Sequence, residues 1–183
     1  DKGLLIDKLN AWGYRDALLL KDSIQVIDDS HIDIYLDVYK GQKYYLRNIT
    51  WVGNTVYTTE FLEKVLKMKS GDVYNQALLD KRLNSDEDAI GKLYYNNGYV
   101  FYNLDPVEVN VVGDSIDLEM RIDERRQATF NHIRISGNDR VYEHVIRREL
   151  RTKPGDLFSM ESIERTVREL ANMGQFDPEA LQA

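Results

Sequence analysis

The chain has 183 residues, and its 24 lysines and arginines against 31 aspartates and glutamates leave a net charge of −7. This acidic balance, without a basic stripe, argues against binding to nucleic acid or an anionic membrane surface, because both need clustered lysine and arginine. Cysteine is absent, which excludes thiol catalysis, disulfide bonds and cysteine-bound metals. No run is apolar enough for a membrane helix and no signal peptide opens the chain, so we expect a segment of a larger protein.

Segments of the chain recur at a constant offset. The run ITWVGN at Ile49–Asn54 returns as IRISGN at Ile133–Asn138, an offset of 84 positions. The run KSGD at Lys69–Asp72 returns at the same offset as KPGD at Lys153–Asp156. Agreement at one offset over separated stretches is not expected from composition, so the sequence predicts tandem copies of one unit.

The first part of the chain matches the end of such a unit. An amphipathic run from Leu4 to Trp12 predicts a helix. Ile24–Val26 and Ile32–Val38 then predict two strands. Residues 1–42 are therefore predicted to hold the last helix and both closing strands of a repeat.

Residues 43–125 contain one complete unit, which starts with a strand and a short helix. The run Tyr45–Val52 is rich in aromatic and β-branched residues and predicts the strand. Thr58 or Thr59 is predicted to cap the helix, and Ser70-Gly71 to close it.

A longer helix and a hairpin complete this unit. Asn75 is predicted to cap the helix, which ends at Gly98, where glycine readily adopts the left-handed conformation. Apolar residues alternate with polar ones over 107–111 and 116–122, on either side of a Gly113-Asp114 turn. Val107, Val109 and Val111 are expected to face inward. The predicted unit is β-α-α-β-β, an α+β fold with two helices on one face of a three-stranded mixed sheet.

Residues 126–183 match the beginning of another unit. Thr129–Met173 is predicted to supply a first strand and both helices. The second helix here is predicted to be shorter than the second helix of the complete unit, which has additional residues around Asn84–Asp88. Because the two closing strands are missing here, we expect this part to be the least stable.

No group of side chains predicts an enzyme, a cofactor or a metal site. The three histidines, His31, His132 and His144, have no second ligand at helix or strand spacing, whereas metal sites need three or four converging ligands. The acidic run Asp86–Asp88 lacks the alternating spacing of a calcium loop. Ser85 with Asp88 is better explained as the restart of a helix.

The order of these motifs resembles a known family. The motifs are an apolar strand ending in Gly-Asn, a short helix, Gly-Asp with an apolar pair, a helix ending in LYYNNGY at Leu93–Tyr99, and a hairpin. This order is similar to the polypeptide-transport-associated (POTRA) domain, which is found in tandem in BamA-type outer-membrane assembly factors. Ile133–Leu150 most resembles the membrane-proximal POTRA. The resemblance implies the end of a third POTRA, a whole fourth and the start of a fifth.

The resemblance also implies a function. The chain would be a periplasmic segment at the outer membrane of a Gram-negative bacterium, and the full-length protein would continue into its own C-terminal membrane barrel. Its partners would be unfolded outer-membrane β-barrel proteins, which it would guide, and accessory lipoproteins of the BamD kind, which it would dock. The alternatives are a two-partner-secretion transporter, a translocation-and-assembly factor, or a non-catalytic envelope scaffold such as a division protein with one POTRA.

The predicted topology places the second strand of a unit at the sheet margin. An edge strand offers unpaired backbone groups to which another chain can add as a further strand. The predicted client-binding residues are Val107, Glu108, Val109, Asn110, Val111 and Val112. A merely tolerated edge is the alternative, and Pro106 with Glu108 fits the protection that such edges carry.

Two further sets of residues are predicted from the resemblance and the linkers. The resemblance implies that Arg147 docks a lipoprotein, but Pro154 stands where the family has an acidic partner residue. Proline has no charge and no side-chain acceptor, so Arg148 and Arg151 are predicted to supply the other contacts. Only a short linker separates the first two repeats, so we expect a limited range of angles between them. Gly41 in this linker is the candidate hinge.

Overall fold

The computed structural model describes residues 2–28, 30–138, 141–176 and 181. They divide into two compact units, residues 1–90 with 104–122 and residues 91–103 with 123–183. In chain order the elements are α1 (Lys2–Ala11), β1 (Leu18–Val26), β2 (Ile32–Tyr39), β3 (Tyr45–Val52), α2 (Thr59–Leu66), α3 (Gln76–Asp80), a π-helical turn (Lys81–Ser85), α4 (Ile90–Asn96), β4 (Asn103–Val112), β5 (Ser115–Asp123), α5 (Glu143–Glu149) and α6 (Met160–Asn172).

The first partial repeat consists of α1 and a two-stranded sheet. Strands β1 and β2 pair antiparallel from Leu18 opposite Tyr39 to Val26 opposite Ile32. Strand β1 begins well before the predicted Ile24, because its first residues continue the ladder along the end of β2.

The complete repeat has a three-stranded sheet in the order β3-β5-β4. Strand β5 lies in the middle and runs parallel to β3, from Tyr45 opposite Ser115 to Val52 opposite Arg121. The tight turn at Gly113-Asp114 makes β4 antiparallel to β5. The α+β class and the mixed sheet are therefore confirmed. The core of this repeat includes the following residues, each no more than 2% exposed: Leu46, Leu62, Leu66, Leu79, Ile116, Leu118 and Met120.

Helix α2 starts as predicted and ends earlier than predicted. The Thr58 side chain caps it by accepting a hydrogen bond from the Phe61 N–H. The predicted closure at Ser70-Gly71 is wrong, because Lys67 adopts the left-handed conformation (φ 56°) and its N–H donates to the Glu63 carbonyl. Gly71 instead lies in the loop that follows, where it has a φ of 91° and its N–H donates to the Leu46 carbonyl.

The predicted long second helix is interrupted. Asn75 caps α3, accepting a hydrogen bond from the Leu78 N–H. The helix widens into the π-helical turn and stops at Asp86, whose backbone is extended (ψ 156°). It resumes as α4 and is followed by Gly98 at φ 84°. The additional residues around Asn84–Asp88 thus form a break between two helices.

The last partial repeat contains α5 and α6, but its predicted first strand is wrong. Residues 131–138 have no regular secondary structure, and Thr129 forms one isolated bridge with Leu157. In the complete repeat the equivalent strand is held by β5. No corresponding strand occurs among the described residues after 128, so this segment has no ladder to join.

None of the described helices combines the length and the apolar character needed to cross a bilayer.

Candidate functional site: an open sheet edge

Strand β4 lies at the edge of the three-stranded sheet, since β5 occupies the middle position. This is the location predicted for the second strand of a unit in which the last strand pairs with both others. One side of an edge strand presents backbone N–H and C=O groups that no neighbouring strand satisfies. Client binding by this edge stays a prediction.

The first half of β4 is partly covered by the preceding repeat. Arg15, just after α1, places its Nη1 atom 2.8 Å from Glu108 Oε2. Burial, together with the neighbouring Glu108 carboxylate, raises the pKa of the Tyr74 phenol. Pro106 and Val107 are half-buried. This half of the strand therefore has both the charge and the proline that protect sheet edges.

The second half of β4 is open. Val109, Val111 and Val112 are 48%, 43% and 53% exposed, and Asn110 is exposed as well. The prediction that Val109 and Val111 face inward is therefore wrong. The central strand β5 supplies the side chains that fill the core, and the end of a marginal strand receives no comparable cover.

The opposite edge of the sheet is closed over the first residues of β3. The Leu46 N–H donates to the Asp72 carbonyl at 2.8 Å, and the Gly71 N–H donates to the Leu46 carbonyl at 2.8 Å. Tyr45 also bridges Val73 in antiparallel fashion. The loop after α2 thus occupies backbone groups that a foreign strand would need, which leaves the end of β4 as the more accessible edge.

The three candidate docking arginines differ in how firmly they are held. Arg147 lies on α5 and pairs with Glu143 at 2.6 Å. Arg151 donates two hydrogen bonds, of 2.7 and 2.8 Å, to the Glu169 carboxylate, and this contact lowers the pKa of the Glu169 carboxyl. The side chain of Arg148 is 76% exposed and pairs with the adjacent Glu149 at 3.2 Å. Arg148 is therefore the arginine most available to a partner.

Gly41, the candidate hinge, lies in a packed linker. It has a φ of +68°, and a Cβ placed on it would lie 3.2 Å from Asp16 Cβ. Asp16 also accepts a hydrogen bond from the Tyr44 hydroxyl at 2.6 Å. The hinge stays a prediction, but these contacts restrict the linker.

The structure reveals a buried arginine that the sequence analysis missed. Arg82, 5% exposed, donates to Asp86 Oδ2 at 2.8 Å and to Asp88 Oδ1 at 2.6 Å, and it also bonds the Val65 carbonyl at the end of α2. The Arg82 guanidinium lowers the pKa of both carboxyls. Arg82 thus pairs with two of the three carboxylates of the acidic run. In the sequence, the signal for this ion pair was the spacing of four residues between Arg82 and Asp86.

No group of histidine and acidic side chains that could hold a metal occurs within the described ranges. His31, His132 and His144 are exposed. The candidate sites are the backbone edge of β4 and, separately, the surface charges on and just after α5.

Most of the chain matches a known protein family. The family model of POTRA, described as a surface antigen variable number repeat, matches residues 44–125 and 128–182. The outer membrane protein assembly factor BamA of Nitratidesulfovibrio vulgaris is 26% identical over 159 residues, covering 86% of this chain and 20% of that protein. BamA of Neisseria meningitidis serogroup B is 26% identical over 167 residues, covering 90% of this chain and 21% of that protein.

A solved structure has the same fold. The crystal structure of Haemophilus influenzae BamA POTRA3-5 aligns with a TM-score of 0.71 at 22% identity, covering 94% of this chain and 68% of that one. The present chain spans about a fifth of the length of the two BamA relatives.

Proposed function

Because this chain belongs to the POTRA family, we propose that it is a periplasmic segment of a BamA-type outer-membrane protein assembly factor in a Gram-negative bacterium. The names of its relatives and the succession of family matches along the chain support this assignment. The repeats would comprise residues 1–42, 43–125 and 126–183, as the end of a third POTRA, a whole fourth and the start of a fifth.

The segment would bind unfolded outer-membrane β-barrel precursors by strand addition at the second half of β4. The observation that supports this site is the exposure of residues 109–112 at the end of an edge strand. At the opposite edge, the loop after α2 is hydrogen-bonded to the first residues of β3. Backbone pairing gives affinity that depends little on the sequence of the added strand. Such tolerance suits a factor that handles many different clients.

Two adjacent proline substitutions test strand addition. Along an antiparallel edge strand, successive N–H groups point alternately to the neighbouring strand and to solvent. Of Asn110→Pro and Val111→Pro, one therefore removes an outward donor and the other a donor to β5. The variant that removes the outward donor should fold normally and lose roughly two- to twelve-fold in client affinity, corresponding to about 0.5 to 1.5 kcal/mol for one hydrogen bond.

The readout is crosslinking of the folded variants to an unfolded barrel protein. Fluorescence of Trp12 and Trp51 first identifies the variant that retains its fold. Asn110→Ala is the matched control and should bind like the wild type, because it keeps the N–H. Unchanged crosslinking in the folded proline variant would leave β4 as a plain sheet margin.

Accessory lipoproteins of the BamD kind would dock on α5 and at Arg151, two residues beyond its end. Arg147, Arg148 and Arg151 would contribute, with Arg148 making the largest new contact because its side chain is the most exposed. Arg148→Glu and Arg147→Glu should each weaken co-purification of a lipoprotein. Arg165→Glu is the control, since Arg165 is also exposed and pairs with Glu169 on α6. Co-purification that survives both α5 substitutions would refute docking at this helix.

A further inference from the structure

The same backbone contact occurs where the last helix of each repeat meets the start of the next repeat. In the first compact unit, Gly13 follows α1 with φ +94°, and its carbonyl accepts a hydrogen bond of 2.9 Å from the Tyr44 N–H. In the second unit, Gly98 follows α4 with φ +84°, and its carbonyl accepts a hydrogen bond of 2.7 Å from the Ala128 N–H. Each acceptor follows the last helix of one repeat, and each donor lies at the start of the next repeat.

The second partner in each contact is also equivalent. The Tyr44 carbonyl accepts from the Tyr74 N–H at 2.9 Å, and the Ala128 carbonyl accepts from the Phe158 N–H at 3.0 Å. These bonds bring the loop after the first helix of the next repeat against the glycine. Tyr44 and Ala128, like Tyr74 and Phe158, are 84 positions apart.

A side chain would be crowded at either glycine. A Cβ on Gly13 would lie 2.5 Å from Val73 Cγ1 and 3.3 Å from the Tyr44 oxygen. A Cβ on Gly98 would lie 3.3 Å from Leu157 Cδ2 and 3.1 Å from the Ala128 oxygen. Gly71 and Gly155 are needed for their backbone angle alone, since a Cβ on either would meet nothing within 4 Å.

We propose that these contacts form an inter-repeat joint that fixes the C-terminal end of the last helix of one repeat to the start of the next repeat. The inter-repeat joint consists of Gly13, Tyr44 and Val73 in one copy and of Gly98, Ala128 and Leu157 in the other. Glycine is required because it combines a left-handed backbone with direct contact between two polypeptide backbones. Since the arrangement occurs once in each compact unit, it is a property of the repeat. The joint restrains the linker that contains Gly41, so that linker does not act as a free hinge.

Alanine substitutions with matched controls test the joint in the whole 183-residue chain. Gly13→Ala should speed hydrogen exchange of the Tyr44 amide by about tenfold or more and leave the Ala128 amide unchanged. Gly98→Ala should do the reverse. Gly155→Ala is the control for Gly13, with φ +97° against +94°, and Gly71→Ala is the control for Gly98, with φ +91° against +84°. Both controls should leave the two amides protected.

A second substitution separates steric contact from general destabilisation. Val73→Ala removes the Cγ1 atom nearest to the new Cβ, so Gly13→Ala combined with Val73→Ala should recover part of the Tyr44 protection. The closest obstacle at Gly98 is the Ala128 backbone oxygen, so Leu157→Ala should not rescue Gly98→Ala.

Spin labels then measure whether the joint fixes orientation. Ser23 in the first partial repeat and Glu60 in the complete repeat are both exposed and belong to the same compact unit. The distribution of distances between labels at these positions should be narrow in the wild type and in Gly155→Ala, and broader in Gly13→Ala. A distribution that stays narrow in Gly13→Ala, or equal loss of Tyr44 protection in Gly155→Ala, would overturn the proposal.

Discussion

Replacing the buried Arg82 by methionine should destabilise the first compact unit much more than the loss of a surface charge would. Methionine keeps most of the length and the apolar stem of the side chain but none of its donors. The substitution leaves the Val65 carbonyl without this partner and removes the cation from Asp86 and Asp88. It therefore releases the segment that interrupts the second helix.

The structure sets the magnitude of this effect. Breaking a fully buried ion pair by removing one partner costs about 3 to 5 kcal/mol. Here the Arg82 side chain is 6% exposed, but those of Asp86 and Asp88 are 20% and 54% exposed, so water can solvate the released carboxylates. We therefore expect a loss of about 2 to 3 kcal/mol in the free energy of unfolding at pH 7.

The effect should depend on pH in a defined direction. Arg82 lowers the pKa of the Asp86 and Asp88 carboxyls in the folded chain. Stability from a lowered carboxyl pKa is fully present above the unfolded value of about 4 and is lost as the pH falls towards the folded value. The difference between wild type and Arg82→Met should thus be constant from about pH 5 to 7 and shrink below about pH 4.

Urea unfolding followed by tryptophan fluorescence measures this difference. The two tryptophans, Trp12 and Trp51, both belong to the first compact unit, so their emission reports on that unit. Arg121→Met is the control, because Arg121 is 55% exposed in its pair with Glu119 and should cost less than about 0.5 kcal/mol. Equal losses in the two variants at pH 7, or a difference that does not shrink in acid, would refute the reasoning.

Two further substitutions test close contacts in the sheet and in the second compact unit. Gly53→Ala should lower the free energy of unfolding by roughly 2 kcal/mol or more, because its Cβ would lie 2.0 Å from the Ile122 oxygen; Gly113→Ala, with open space around it, should cost less in the same urea titration. Tyr94→Phe should cost about 1 to 3 kcal/mol, since the buried Tyr94 hydroxyl donates to the buried Glu124 carboxylate at 2.8 Å. Circular dichroism during thermal unfolding measures the Tyr94 effect, and a wild-type transition would contradict it.

The sequence by itself determined the features that depend on neighbouring residues. The caps at Thr58 and Asn75 were predictable because a short polar side chain satisfies N–H groups of the helix turn that follows it. The hairpin followed from strict alternation around Gly113-Asp114, and the offset of 84 positions between Ile49 and Ile133 indicated that one unit is repeated. Together these signals predicted the α+β class and the position of β4 at the sheet edge.

Only the tertiary structure decided features that depend on distant partners. The break after the π-helical turn coincides with bonds that join Arg82 to Asp88 and to the Val65 carbonyl on another helix. Residues 131–138 do not form their predicted strand because a strand needs a neighbour to complete its hydrogen bonds. The two halves of β4 differ because Arg15 reaches Glu108 but leaves the valines beyond it uncovered. Local patterns specify which elements form, whereas exposure and pairing depend on what the rest of the chain places beside them.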